Sequence, residues 1–309
     1  ADFGHAYVLG SMGSTGNYTG ACATFQYNLK LGISMIQSGE SLISVVGAAE
    51  SGIVPEIYEA FSATKGLAED GNLIKLQEKL GEDFDQPNHR KICRPFGENI
   101  GMSLGESAQF VVLMADSLAI ELGLNIHGAA LSSHIHADGY KKSISGPGAG
   151  NYLTVGKVFS EIKYHFGEEA LNKTFMHAHG TSTPQNRESE SHIISSMSKA
   201  FGIKSLPVTA IKSYLGHSLA AAGGDQRAEG RRAALGGVHR RAQPAALEGG
   251  QPRVVPHEER RLRDGHRVPR VDRGGGRALR ALHRGTRSVS RNHLRDRYTG
   301  FIRVVSWPV

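Results

Sequence analysis

Cys22 sits in Ala21-Cys22-Ala23-Thr24, His179 in His177-Ala-His179-Gly-Thr-Ser-Thr-Pro184, and His217 in Lys212-Ser-Tyr-Leu-Gly216-His217. Glycines punctuate the run from Gly10 to Gly20 before the cysteine, and the small-residue run Ala220-Ala-Ala-Gly223-Gly224 follows the second histidine. A cysteine attacks as its thiolate, and a helix N-terminus favours that form through its dipole and amide donors. Gly20 and its small neighbours permit the tight strand-to-helix turn that would expose Cys22 there. Imidazoles beside small residues leave room for a ligand. They can donate to an oxygen that gains negative charge, or act as acid or base. A thiol and two imidazoles suit covalent transfer of an acyl group. Each residue alone has a plainer reading, a buried inert thiol or a packed histidine; three motifs in one chain argue for a site.

The elements that must position these residues read as alternating α and β. Leu29, Ile33 and Ile36 recur at helical spacing within 23–39, with Gly39 as the stop. Leu42–Gly47 and Ser107–Met114 are short apolar runs of the kind found in buried parallel strands. Residues 115–122 read as a crossover helix and 126–135 as a third strand. The polar stretch 62–100 reads as helical pieces and loops. Further on, the pattern predicts a helix over 150–166, a strand over 174–179, a helix over 188–201 and a strand over 206–211. Sites in open α/β sheets form at the C-terminal ends of strands, where these motifs fall.

The chain has 309 residues, enough for one large or two smaller domains with a buried core. Its two cysteines, Cys22 and Cys93, are too few for a disulfide framework and read as free thiols of a reducing compartment. No apolar run is long enough to span a bilayer and no charged-then-apolar leader opens the chain, so a soluble cytoplasmic protein is expected. The net charge of +7 conceals two unlike segments. Residues 1–226 carry 13 Lys and 3 Arg against 22 Asp and Glu, a net of −6, whereas 227–309 carry 20 Arg and no Lys against 7 acidic residues, a net of +13. That abrupt switch reads as a change of reading frame. The tail has no sustained period and few bulky apolar residues, so it is expected to be disordered. It also lacks aromatic interleaving and amphipathic spacing, which argues against specific nucleic-acid recognition.

The three motifs, in this order, resemble the Cys-His-His site of the β-ketoacyl-acyl-carrier-protein synthases, condensing enzymes of fatty-acid synthesis in the thiolase superfamily. The resemblance covers residues 1 to about 226. It implies an α/β protein with the layered α/β/α thiolase-like fold, incomplete here. Residues 1–125 would be the remainder of the N-terminal half carrying the nucleophile, and 126–226 a partial C-terminal half carrying both histidines. By resemblance, Cys22 takes an acyl chain from acyl carrier protein. His179 and His217 promote decarboxylation of malonyl-loaded carrier, and the carbanion attacks the acyl-Cys thioester. Lys212, five residues before the second histidine, and Glu190, eleven after the first, match a charged pair that tunes the histidines. Thr181, Thr183, Asp138 and Phe25 fall where the family binds substrate, Asp138 in a loop lining the site. No metal or organic cofactor is implied. The family forms homodimers, and Leu42–Gly47 resembles the strand that pairs across the two-fold axis.

The sequence departs from the pattern in places. Asn186-Arg187 stands where the family has Gly-Asp, and Phe25 where it has a small residue. The family's Gly-Phe-Gly-Gly-x-Asn loop, which supplies an oxyanion donor, has no counterpart. Thiolases use a second catalytic cysteine and starter-unit synthases an asparagine in place of His217, so neither fits. A polyketide ketosynthase domain remains the enzymatic alternative, and an inactive fragment with an anion-binding basic tail the other. His134-Ile-His136-Ala-Asp138 mimics a zinc motif, but Gly139 replaces its third histidine. The glycines before Cys22 lack the Gly-Lys-Ser/Thr of a phosphate loop.

Overall fold

Helix α1 (Thr24–Gln37) starts two residues after Cys22 and buries Phe25, Leu29 and Ile33, one residue per turn. That stripe packs on Val46, Ala48 and Leu113 of the two strands that follow and on Ala221 from far along the chain. The computed structural model describes residues 10, 13–83, 85–140, 148–227 and 302–305. Strand β1 (Ile43–Ser51) pairs with β2 (Glu106–Met114) through nine residues, from Ile43 opposite Met114 to Ser51 opposite Glu106. The pairing is antiparallel, which corrects the parallel arrangement expected from the apolar runs. An apolar run reports burial and says nothing about direction; the segment between the strands brings the chain back the opposite way. Nor are the strands buried on both faces. Alternate residues of β2 are exposed, Phe110 and Val112 among them.

Helices α2 (Pro55–Ala63) and α3 (Asp70–Lys79) occupy the connection between β1 and β2, and α4 (Asp116–Glu121) follows β2. The third strand expected over 126–135 is absent. The chain there runs without a ladder, and its polar side chains bond to other elements instead. Ser133 Oγ donates to the Gln26 carbonyl, and His134 and His136 meet Glu161 and Thr154 of the next helix.

That helix, α5 (Ala149–Phe166), falls where its spacing predicts and buries Val155, Phe159 and Ile162. They form a second core with Leu171, Met176, Ile193 and Ile203. Strand β3 (Thr174–His177) runs parallel to the short β4 (Val208–Thr209). Helix α6 (Pro184–Ala200) begins four residues before the pattern suggests, because Thr183 caps it by accepting the Asn186 N–H and Pro184 supplies a helical φ at its first turn. One turn of helix, α7 (Lys212–Leu215), leads to His217.

The far side of β3 carries β5 (Ile302–Val305), also parallel, with Thr174 opposite Ile302 and His177 opposite Val305. Of the tail over 227–309, expected to be disordered or loosely structured, the structure describes Arg227 and this short strand. The remainder of that expectation, over 228–301 and 306–309, lies outside the described residues. Among the described residues, no helix is long and apolar enough to cross a membrane.

Candidate active site

Cys22 lies in the turn that feeds α1. Thr24 locks that turn, accepting the Gly20 N–H at 2.9 Å while its hydroxyl donates to the Ala21 carbonyl at 2.8 Å. A Cβ on Gly20 would come within 2.4 Å of the Tyr27 ring, so any larger residue there would displace that ring. Ala21 has φ +46°, a left-handed conformation unusual for alanine. Burial pushes the Cys22 thiol above its ordinary value, and the Lys212 ammonium only partly offsets this. The helix start therefore does not make Cys22 a resting thiolate, contrary to what its position suggests, because desolvation outweighs the favourable electrostatics.

His217 meets the cysteine directly, its Nε2 lying 3.1 Å from Cys22 Sγ. The Leu219 N–H donates to Nδ1 at 3.1 Å. That nitrogen is therefore the unprotonated one, and the neutral ring carries its hydrogen on Nε2. Burial first, then the Lys212 charge, hold His217 well below the ordinary histidine range, so the ring is neutral at pH 7. The result is an N–H donor aimed at the sulfur. Backbone bonds fix its place: the His217 N–H donates to Ser103 O at 2.7 Å and the Gly105 N–H to His217 O at 3.0 Å.

His179 follows β3, and its ring lies edge-on to that of His217 with centroids 5.4 Å apart. Burial, then Lys212 and His217, depress it well below 6.5. Its backbone is held from two sides. The Glu190 carboxylate, on α6, accepts the N–H groups of His179 and Gly180 at 2.6 and 2.8 Å. Lys212 Nζ donates to the His179 carbonyl at 2.8 Å. Burial pushes Glu190 up, against the two backbone N–H groups that favour its ionised form. Burial takes Lys212 down to about 8, opposed by Cys22, Glu190 and Asp225. The two charges expected as a pair thus act on one stretch of backbone, the one that presents His179.

Cys22, His179, His217, Lys212 and Glu190, drawn from sites up to 195 residues apart, are brought together. The other expected residues have other places. Thr181 and Thr183 share a hydroxyl bond at 3.1 Å, and the Thr181 N–H donates to Asn186 Oδ1 at 2.9 Å. Asn186 thus closes the loop, while Arg187 reaches away to the Gly97 carbonyl. Asp138 accepts the Asn151 N–H at 3.1 Å in the first turn of α5. Phe25 is a core residue, 1% exposed, over which Gly223 and Gly224 pack closely.

Sequence reasoning missed Asp225 and Gln226, both buried. Gln226 Nε2 donates to the Ala178 carbonyl at 2.6 Å, next to His179. Asp225 gathers the hydroxyls of Ser107 and Ser218 and the Gln109 amide. Two polar residues closing the apolar run from Ala220 were the available signal. A third feature had none. Among the described residues, four non-glycine positions have positive φ, and three of them, Ala21, Ser182 and Leu219, stand within three residues of Cys22, His179 and His217. Such conformations cost about 1–3 kcal/mol each and persist where surrounding structure enforces them, commonly at functional sites.

The family model for the beta-ketoacyl synthase N-terminal domain matches residues 5–119 and that for the C-terminal domain residues 131–228, together more than half of the chain. The chain is 51% identical over 226 residues to Beta-ketoacyl-[acyl-carrier-protein] synthase FabY of Pseudomonas aeruginosa, covering 73% of this chain and 35% of that protein. It is 27% identical over 220 residues to 3-oxoacyl-[acyl-carrier-protein] synthase 2 of Staphylococcus aureus, covering 70% and 49%. It thus spans about a third of the length of the first relative and half of the second. The crystal structure of the noncanonical ketosynthase FabY from P. aeruginosa superposes with a TM-score of 0.71 at 46% identity, over 78% of this chain and 39% of that one. A type II polyketide ketosynthase in complex with its acyl-carrier protein shares the fold, with a TM-score of 0.60 at 22% identity over 74% and 52%.

Proposed function

Because this chain belongs to the β-ketoacyl synthase family and has its thiolase-like fold, we propose that it bears the catalytic centre of a 3-oxoacyl-[acyl-carrier-protein] synthase of fatty-acid synthesis. The observation that carries the reading is the 3.1 Å contact between Cys22 Sγ and His217 Nε2, with the His179 ring against the same imidazole.

Cys22 sulfur attacks the carbonyl carbon of an acyl thioester. The bond to the carrier sulfur breaks, and the cysteine proton departs with the carrier thiol. His217, with its hydrogen on Nε2, stabilises the sulfur as a donor; in this tautomer it has no lone pair facing Cys22 and cannot act as its base. The malonyl thioester then loses CO₂. The electron pair left behind is held as an enolate whose oxygen takes hydrogen bonds from the histidines. The carbanion attacks the acyl-Cys carbon, forming the 3-oxoacyl product and releasing the cysteine thiolate, which takes up a proton. The partner would be acyl carrier protein, loaded with acyl or malonyl groups. A homodimer and a cytoplasmic location belong to the same proposal; the outer edge of β1, which has no partner strand among the described residues, supports the dimer.

The test is incubation of the protein with an acyl-loaded carrier, followed by intact mass and peptide mapping. One acyl group on Cys22, absent from Cys22→Ser, is the expected result. An unmodified Cys22 at saturating donor would refute the reading.

A further inference from the structure

Asp225 is a buried carboxylate that the reaction above does not use. It lies in the helical stretch 222–227, is 4% exposed, and is satisfied by side chains from two separated segments. Ser107 Oγ and Gln109 Nε2 of β2 donate to Oδ1 at 2.6 and 3.0 Å, and Ser218 Oγ donates to Oδ2. Ser218 is the residue between His217 and Leu219. The turn it occupies is strained, since Leu219 has φ +46°. It is also the turn in which the Leu219 N–H reaches back to His217 Nδ1.

We propose that Asp225 is a positioning residue for His217: by gripping Ser218 from β2, it holds the strained 217–219 turn in the one geometry that puts hydrogen on Nε2, facing Cys22. A carboxylate suits this role because its two oxygens accept from both sides at once, whereas a carboxamide offers one accepting oxygen and would either turn the Ser218 hydroxyl from donor to acceptor or set its N–H₂ group against the Gln109 amide. Asp225 also favours the Lys212 ammonium, so it acts on the site through charge as well as shape. The role in catalysis rests on the function proposed above; the role in fixing the tautomer does not.

Two variants of the full chain test it, Asp225→Asn and Ser218→Ala, with near-UV circular dichroism and thermal melting to establish folding. The direct readout is the ¹⁵N spectrum of labelled histidine, the His217 signals being identified by their loss in His217→Asn. In the parent, Nε2 should carry the hydrogen and Nδ1 should not. In both folded variants the two nitrogens should move toward a tautomer mixture, and acylation of Cys22 should slow about tenfold, the effect of losing one orienting hydrogen bond. Should Asp225→Asn fail to fold, Ser218→Ala alone decides, because it leaves the buried charge in place. An unchanged His217 spectrum in a folded variant would overturn the proposal. If the parent shows no Cys22 acylation, the proposed function fails while the tautomer measurement still judges Asp225.

Discussion

At the scale of single residues, the site is built from groups whose ordinary ionisation is suppressed by burial. His179 and His217 are both held well below 6.5 in the folded protein, whereas in the unfolded chain they titrate near that value. As pH falls below about 6.5 the unfolded chain takes up two protons that the folded site refuses, so stability is lost with acidification. The slope contributed by each histidine approaches about 1.4 kcal/mol per pH unit. Urea unfolding of the parent between pH 7.5 and 5.5 should show this decline, and His179→Gln/His217→Gln should flatten it. An equal slope in the double variant would mean that other groups carry the acid sensitivity. The same burial explains why neutral imidazoles are available as hydrogen-bond donors at neutral pH, which is what an enolate oxygen requires.

At the scale of elements, the site depends on how tightly strand ends and turns approach one another. Gly216, directly before His217, has φ +73°, and a Cβ there would sit 2.5 Å from the Leu104 carbonyl oxygen. Gly39, at the end of α1, has φ +79° with nothing near. The two glycines separate conformational strain from contact. Gly39→Ala should cost about 1 kcal/mol. Gly216→Ala adds a backbone clash and should cost about 2–4 kcal/mol, while disturbing the Leu104–His217 bridge. Chemical denaturation orders the two, and equal losses would show that the 104–105 segment yields easily. Helices α1 and α5 are legible in the sequence, α1 from Leu29, Ile33 and Ile36 at helical spacing, and the structure buries Leu29 and Ile33 in α1 and Val155, Phe159 and Ile162 in α5. Segment 126–135 has the apolar residues of a strand but no ladder, because its side chains bond to α1 and α5 instead.

For the whole molecule, the proposed acyl transfer and condensation share one centre. Attack by Cys22 in that proposal would use the turn before α1, His217 and the Lys212 charge, which the fold brings together. Acyl transfer to the cysteine and condensation both pass through a tetrahedral oxyanion, for which family members carry a donor in a Gly-Phe-Gly-Gly-x-Asn loop, a motif without counterpart in this sequence. Losing such a donor costs about 10²–10³ in rate. Malonyl-dependent product formation, followed by mass spectrometry, should therefore be slower by that factor than in a synthase that has the loop. Equal condensation rates would show that other donors serve the oxyanion.

By itself the sequence determined the candidate groups and their order: Cys22, His179, Glu190, Lys212 and His217, with the cysteine and both histidines in motifs whose small neighbours leave space. It also determined the helices with a clear period. Such features depend on residue type and on neighbours a few positions away. Tertiary structure alone decided the antiparallel direction of β1 and β2, the addition of β5 to β3, and the left-handed backbone at Ala21, Ser182 and Leu219. It decided as well that Asp225 meets Ser107 and Ser218, and that His217 presents hydrogen on Nε2. The reason is physical. Alanine and leucine have no preference for positive φ, and an imidazole has no strong preference for either nitrogen, so both are set by partners that only the folded chain brings within reach.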